Sequence, residues 1–185
     1  MHSRVTELLA YVDQETDTLR DAYESVPPAE RNVRTDPARW SPAEIVQHLV
    51  VVDRRIVQRL ATLIDEARAL PPETDTTPIL PNQVVTRVLD RTGRFRTSQA
   101  GEPGQTDPDR VWDELMAVRR ALAEVVAKAD GLALGKVSAP HPALGAFSGY
   151  DWIAFVGAHA ARHADQIREM RQVELGSAEL GSDSI

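Results

Sequence analysis

Apolar residues recur every three or four positions along four long segments of the chain, and the period-two alternation of a half-buried strand never persists. This pattern predicts four long helices, over about residues 3–25, 41–70, 109–130 and 148–173. The second helix has the clearest start, because Ser41 and Glu44 form a capping-box pattern around Pro42. Ser148 and Asp151 repeat this pattern at the start of the fourth helix. No strand is predicted.

The connector from Pro71 to Pro108 decides the predicted topology. One short helix is expected within it, around Gln83 to Leu89, where three valines need a packing partner. Short loops leave neighbouring helices antiparallel, whereas a connector of this length can cross the bundle and leave the second and third helices parallel. We therefore predict an all-α four-helix bundle with up-down-down-up topology and a long second-to-third helix crossover. One domain is expected over residues 1–173, followed by a flexible tail, rich in glycine and serine, over residues 174–185.

Composition narrows the classes of function. With 185 residues, 42% of them hydrophobic, the chain suits a single globular domain. A net charge of -7 without any run of Lys and Arg argues against nucleic acid and anionic membranes as partners. The lack of cysteine excludes disulfides, thiolate ligands and a thiol nucleophile. No apolar run approaches a membrane span and the polar start lacks a signal peptide's apolar core, so we expect a cytoplasmic protein.

Three histidines fall on the apolar stripes of two predicted helices. His159 and His163 are four residues apart and therefore share one face of the fourth helix, within reach of one metal ion, while His48 lies on the stripe of the second helix. Three imidazoles leave coordination positions for water or substrate, which indicates an open metal site. A lone histidine on an apolar face is more often a satisfied core residue. Three buried imidazoles without a shared partner would leave several nitrogens to satisfy, which favours the metal.

Several other kinds of enzyme lack the residues that they require. Ala160 stands where the helix of a zinc protease has its glutamate general base, so a metallopeptidase is excluded. There is no Walker loop and no Gly-x-Ser-x-Gly elbow, and no Glu-x-x-His pair of a di-iron bundle lies on the helix stripes. Imidazole ligands suit zinc, nickel, iron and copper alike. We expect one divalent metal ion, zinc or nickel.

Three segments of the chain together resemble one known family. Residues 40–49, with the sequence Trp-Ser-Pro-Ala-Glu-Ile-Val-Gln-His-Leu, resemble the second-helix motif of the DinB/YfiT-like superfamily, in which a Trp-Ser opening precedes a metal-ligand histidine. Residues 141–145 and 152–167 resemble the last loop and the last helix of that family. The match spans the chain from the first helix to the last, although the connector matches only in length and position.

The resemblance implies an up-down-down-up bundle, a divalent metal on the three histidines and a homodimer. Many members of the family that the chain resembles are thiol-dependent transferases or isomerases, and many others have no assigned reaction. Two functions follow as hypotheses. The protein is either a metal-dependent enzyme that uses a low-molecular-weight thiol on a small-molecule substrate, or a non-catalytic metal or small-molecule binding module, such as a stress-response protein.

The choice of basic residues bears on the identity of the thiol. Only Lys128 and Lys136 are lysines among the 21 basic residues, and this excess of arginine is common in proteins from GC-rich genomes. Some GC-rich bacteria use mycothiol in place of glutathione. Mycothiol is therefore the thiol that the composition suggests.

Four other polar residues have more than one interpretation each. Glu44 lies one turn before His48 and is a ligand, an orienting carboxylate or, more simply, the cap of its helix. Gln166 faces the same side as the later two histidines and either holds a ligand histidine or substrate, or is exposed. His141 either lines the mouth of the pocket or is structural. Arg162 is expected to face a neighbouring helix or solvent, with an anion clamp as the minority interpretation.

Overall fold

The computed structural model describes residues 1–92 and 101–182, and within the last helix it describes side chains as far as Arg171. This part of the chain is mostly helical. It forms five α-helices, two strands and two short 3-10 turns, namely α1 (Ser3–Glu24), a turn (Pro28–Glu30), α2 (Pro42–Ala67), α3 (Gln83–Leu89), α4 (Val111–Ala127), a turn (Leu134–Lys136), β1 (Ser138–His141), β2 (Gly145–Ser148) and α5 (Gly149–Ser182).

Capping hydrogen bonds fix the starts of α2 and α5. The Ser41 hydroxyl accepts a hydrogen bond from the Glu44 backbone N–H at 3.2 Å, and the Glu44 carboxylate accepts one from the Ser41 N–H at 2.8 Å. Ser148 and Asp151 form the same reciprocal pair at the start of α5, at 3.0 and 3.1 Å. Both predicted capping boxes are therefore confirmed. The short connector helix, α3, also lies where its valines predicted it.

The hairpin of β1 and β2 shows that the prediction of no strand was wrong. The two strands are antiparallel, with Ser138 opposite Ser148. Each has four residues and only one buried side chain, Ala139 in β1 and Phe147 in β2, so the alternation was too short to appear as a pattern. Gly145 begins β2 with a φ of 89°, in the left-handed region that favours glycine.

The last helix is longer than predicted. Its helical backbone continues past Val173 to Ser182, into the segment expected to be a flexible tail. That expectation rested on glycines such as Gly176, but a glycine inside a helix costs only about 1 kcal/mol and does not by itself end one. Residues 183–185 of the segment lie outside the described residues, and the domain boundary at residue 173 stays a prediction.

Helix α5 has three of the other helices packed against it. It is in contact with α1, α2 and α3, and α2 packs along α4. Of the helices in the described part of the chain, none combines the length and apolar character needed to cross a membrane.

The apolar core is divided into two clusters along the helices. One cluster combines the N-terminal halves of α1 and α5 with α3, the hairpin and the C-terminal halves of α2 and α4. The other combines the C-terminal half of α1 and the later part of α5 with the N-terminal halves of α2 and α4. On each long helix a polar residue stands between the two clusters. These residues, called the polar layer below, are Thr16, Asp53, Arg119 and His159.

Candidate metal centre

Three histidine rings converge where α2 meets α5. Nε2 of His159 lies 3.3 Å from Nε2 of His48 and 3.0 Å from Nε2 of His163. One ligand nitrogen from each ring lies within 4.8 Å of the other two. The i,i+4 spacing on α5 places two of the rings one turn apart on the same face of the helix. The third ring comes from α2, which packs against α5. We call these histidines the triad.

The triad lies inside the protein. His48 and His163 are only 4% and 8% exposed. His159 is intermediate in exposure as a whole residue, but its Nδ1 atom is buried. Aromatic rings flank the triad. Trp40 packs against His48 at 4.9 Å between ring centroids, and Phe155 stacks on His159 at 4.9 Å. The rings thus have an apolar wall and face one another.

Hydrogen bonds at Nδ1 fix the tautomer of two of these rings. The Nδ1–H of His48 donates to the backbone carbonyl of Gly101 at 2.5 Å, and the Nδ1–H of His163 donates to Oε1 of Gln166 at 3.0 Å. A neutral imidazole carries a single N–H, so the Nε2 atoms of both rings present lone pairs to the centre of the triad. This is the arrangement that orients a metal-ligating histidine in proteins.

Burial also keeps the triad unprotonated. It is the largest cause that lowers the pKa of each ring. The neighbouring imidazoles also lower the pKa of His159 and His163, and the pKa of His163 falls to about 3 in total. Neutral imidazole is the form that binds metal ions.

The donor set fits a divalent metal ion on geometric and chemical grounds. Two ligand nitrogens of a tetrahedral zinc ion, each at about 2.0–2.1 Å from it, are about 3.3 Å apart. The Nε2 separations of 3.3 and 3.0 Å are close to this spacing. Without a cation, the facing lone pairs of His48 and His163 have at most one proton to share, the single N–H of a neutral His159. Among the described residues the cluster consists of three neutral nitrogens without a carboxylate. A metal ion bound by three ligands keeps coordination positions open for water or substrate.

Comparison with known families shows the family to which the chain belongs. A sequence profile of the DinB superfamily matches residues 11–167. The chain belongs to the DinB superfamily. A search of curated proteins found no match, and a search of solved structures found none either. The family resemblance carried by the Trp-Ser and histidine motifs is thereby confirmed, and the matched region includes the whole triad.

Two other candidate residues of this DinB protein, Gln166 and Glu44, have different hydrogen-bond partners. Gln166 contacts the triad directly, through its bond to His163. Glu44 caps α2 and also accepts two hydrogen bonds from Arg34, at 2.7 and 2.6 Å. The hydrogen bonding by Arg34 is the largest cause that lowers the pKa of Glu44. The cap and the Arg34 pair account for the Glu44 carboxylate, and among the described residues none of its hydrogen bonds is with the triad.

His141 and Arg162 both contact backbone. Nδ1 of His141 accepts hydrogen bonds from the N–H groups of Ala143 and Leu144, which closes the hairpin turn, and its ring packs on Phe155 at 4.9 Å. It therefore adjoins the aromatic wall of the triad. Arg162 donates from Nη1 to the carbonyls of Val88 and Asp90 at the C-terminal end of α3, as expected of a residue that faces a neighbouring helix.

A buried ion pair that was not predicted from the sequence joins α2 to α4. Nη2 of Arg119 on α4 lies 3.2 Å from Oδ2 of Asp53 on α2, and their side chains are 6% and 1% exposed. A signal was present in the sequence, because Asp53 follows Leu49 by four residues and Arg119 follows Leu115 by four, which places both charges on apolar stripes. Charges at such positions are rare unless they are paired. The carbonyl of Gly101 had no such signal, since every residue carries one.

Proposed function

We propose that this DinB protein is a metal-dependent enzyme of transferase or isomerase type that uses a low-molecular-weight thiol, with one divalent metal ion held by His48, His159 and His163. The observation that carries the proposal is the convergence of three Nε2 atoms, two of which are kept free of a proton by hydrogen bonds at Nδ1. Support for the thiol comes from the family that the chain resembles.

The chemistry follows from what the site contains and lacks. A divalent cation with open positions would lower the pKa of a bound thiol and so supply a thiolate at neutral pH. The triad would hold the cation, while Gln166 and the Gly101 carbonyl orient two of its rings. Ala160, a fully buried core residue, stands where a hydrolytic helix would place its base. A nucleophile that ionises on the metal needs no such base.

The arrangement of the core supports the up-down-down-up topology that we propose for the bundle. The N-terminal halves of α2 and α4 share one apolar cluster and their C-terminal halves share the other, as in parallel helices. The halves of α1 and α2 are combined the opposite way, as in antiparallel helices. The connector between α2 and α4 would then cross the bundle.

The metal, the thiol and the substrate that we propose are those expected from the sequence. Zinc or nickel is the metal, mycothiol is the first thiol to test, and the substrate is a small molecule rather than a nucleic acid or a membrane. The cytoplasmic location stays an expectation from the sequence. The homodimer also stays a prediction, and light scattering at micromolar concentration tests it.

A non-catalytic binding module is the second candidate. Its support is the burial of the triad, because His48 and His163 are only 4% and 8% exposed. A protein that sequesters a metal or a small ligand needs no wide entrance.

Thiol-dependent turnover separates the two candidates. Protein loaded with zinc or nickel is mixed with an electrophile, such as 1-chloro-2,4-dinitrobenzene, and with mycothiol, bacillithiol or glutathione. We expect metal-dependent consumption of the electrophile with at least one thiol and its loss in His163→Ala. The His2→Ala protein, which changes a histidine outside the triad, is the matched control. If no thiol binds or supports turnover while a small ligand binds tightly, the binding module replaces the enzyme.

A further inference from the structure

The ion pair of Asp53 and Arg119 lies in the middle of the bundle. Each residue stands on its helix between the two apolar clusters, so each is a member of the polar layer. The pair connects α2 to α4 across the core at an N–O distance of 3.2 Å. Burying two charges costs more than a single contact at this distance returns unless hydrogen bonds satisfy the remaining polar atoms. The surroundings of the pair therefore matter.

Those hydrogen bonds are missing from the described residues. Nε, Nη1 and Nη2 of Arg119 and both carboxylate oxygens of Asp53 are buried, and none of them has a hydrogen-bond partner there. A guanidinium carries five N–H donors, and buried donors nearly always have an acceptor. The guanidinium thus has donors left for an acceptor that is not part of the described protein.

The unused donors belong to the same level of the bundle as one histidine of the triad. His159 is itself a member of the polar layer, as the α5 residue between the two clusters. Nδ1 of His159 is, like the guanidinium, buried and without a hydrogen-bond partner among the described residues. A small ligand that reaches the triad would therefore lie near the guanidinium.

The charge of the site indicates which ligand would be accepted. Three neutral imidazoles bring no negative charge to a divalent cation, and Asp53 at most cancels the charge of Arg119. The cation, the triad and the ion pair together would then carry the net charge of the cation in a buried position. An anionic ligand would offset that charge and so lower the cost of burying it. This step rests on the proposed function, whereas the unused donors of Arg119 do not.

We propose that Arg119 recognises an anionic oxygen group, such as a carboxylate, on the small molecule that binds at the triad, and that Asp53 is a positioning residue that orients the guanidinium. The substrate or thiol would accordingly carry a carboxylate in addition to the atom that reaches the histidines. A guanidinium is suited to this role because its planar fork of donors matches a carboxylate.

The test compares two probes that differ in one group. They are 3-mercaptopropionate, which has a carboxylate, and 3-mercaptopropanamide, which has a neutral amide in its place. Their dissociation constants are measured by calorimetry and NMR on wild type, Arg119→Gln and Arg120→Gln, each with cobalt and without metal. Arg120 is the matched control, because it is the next residue on α4 and is exposed. The ratio between proteins removes the intrinsic difference between the probes.

We expect wild type and Arg120→Gln to prefer the carboxylate probe, and Arg119→Gln to lose about tenfold of that preference, the size of one charge-assisted hydrogen bond. A weaker preference in the same direction is expected without metal, since the guanidinium does not depend on the cation. Equal preference in wild type and Arg119→Gln, in both forms, overturns the proposal. Failure of the wild type to take up cobalt overturns the metal site instead, and it is seen before any thiol is added.

Two further measurements cover a variant that does not fold. Arg119→Gln leaves the Asp53 carboxylate buried without its cation, so Asp53→Asn/Arg119→Gln provides a neutral pair of similar shape. In wild type, the Arg119 Nε–H resonance, assigned through bonds, should shift with the carboxylate probe and not with the amide probe. An unmoved resonance at saturation contradicts the proposal without any variant.

Discussion

At the scale of single residues, the hydrogen bonds at Nδ1 decide what the triad can bind. A histidine in a core can donate from either ring nitrogen, and only the partner at Nδ1 determines which one is left free. His163 is held by Gln166 and His48 by the carbonyl of Gly101. Both therefore present Nε2 as a lone pair. The position of Gln166, three residues after His163, is what makes this possible on one helix.

Replacement of Gln166 by leucine should weaken metal binding. The variant removes the acceptor of the His163 Nδ1–H and leaves the ring free to rotate and to change tautomer. Loss of such a partner typically lowers metal affinity by about 10–100-fold. Competition with a chelating dye measures the affinity, and Gln166→Glu, which keeps an acceptor, should retain most of it. Equal affinities for wild type and Gln166→Leu would show that the glutamine does not orient the ring.

The lowered pKa of His163 predicts how acid destabilises the metal-free protein. The unfolded chain takes up a proton at this imidazole near pH 6.5, whereas the folded protein does so only near pH 3. Between these values the unfolded chain binds more protons, so stability falls as the pH drops, by about 1.4 kcal/mol per pH unit for this group. Asp53, whose pKa burial raises to about 6, acts in the opposite sense.

Urea unfolding of chelator-treated protein at pH 7.5 and 5.5 measures this effect. His163→Leu should lose less stability between the two values than wild type does, because its side chain cannot titrate. Asp53 is present in both proteins and its contribution cancels in the comparison. The same loss in both proteins would contradict the assignment of the pH dependence to His163.

The sequence predicted that the three histidines would converge, but it left the roles of their neighbours open. The triad could be predicted because three histidines interrupt apolar stripes at a spacing that a metal ion uses. The ion pair of Asp53 and Arg119 has a similar signal, but each charge is far from its partner in sequence and only the packing of α2 on α4 joins them. The role of each neighbour of the triad depends on its hydrogen-bond partners. Sequence spacing alone does not determine those partners.

At the scale of elements, close packing of α1 on α5 fixes where the triad helix lies. A Cβ atom at Gly157 would be 2.6 Å from Cε1 of Tyr11, a distance that real Cβ atoms do not adopt. The absence of a side chain at Gly157 therefore allows the two helices to approach. Because Gly157 is two residues before His159, this contact also helps to position the histidine.

Gly157→Ala should destabilise the protein by about 1–2 kcal/mol. The clash with Tyr11 costs about 1–3 kcal/mol, and the better helix propensity of alanine returns up to about 1 kcal/mol of it. Chemical unfolding measures the net change. In a Tyr11→Leu background the same substitution should become neutral or stabilising, since the clash is removed while the propensity remains. A loss that is equal in both backgrounds would contradict this packing.

Long helices were predictable and the short strands were not. The starts of α2 and α5 follow from capping boxes, and α3 follows from three valines, so local signals were enough for these features. The hairpin depends on Phe147 packing against the aromatic rings of α5, including Trp152 at 5.1 Å between ring centroids. This is a tertiary contact, and it overrides the weak local preference of two four-residue strands.

At the scale of the whole molecule, the triad links two helices close to the level at which the apolar core is divided. His48 belongs to α2 and the other two histidines belong to α5. The polar layer weakens the core at this level, because polar side chains replace apolar contacts between the two clusters. A metal ion on the triad would join the two helices at this level. Metal binding and folding should then be coupled.

Removal of metal should lower the melting temperature. Binding to the folded state alone contributes about 4 kcal/mol when free metal is a thousand times its dissociation constant. For a chain of this length, each kcal/mol corresponds to about 2–4 °C. Scanning calorimetry with and without a chelator measures the shift, and His159→Ala should show none. A chelator effect of equal size in both proteins would mean that the stabilising metal binds elsewhere.

Metal content per chain tests the central claim most directly. Wild type, the His→Ala variants of His48, His159 and His163, and the control His2→Ala are purified without chelator or a metal-binding tag, loaded with zinc or nickel and analysed by mass spectrometry of the elements. We expect about one metal ion per chain in wild type and His2→Ala, and a large loss in each triad variant. Undiminished occupancy in any triad variant removes that histidine from the site, and a wild type that retains no metal contradicts the account.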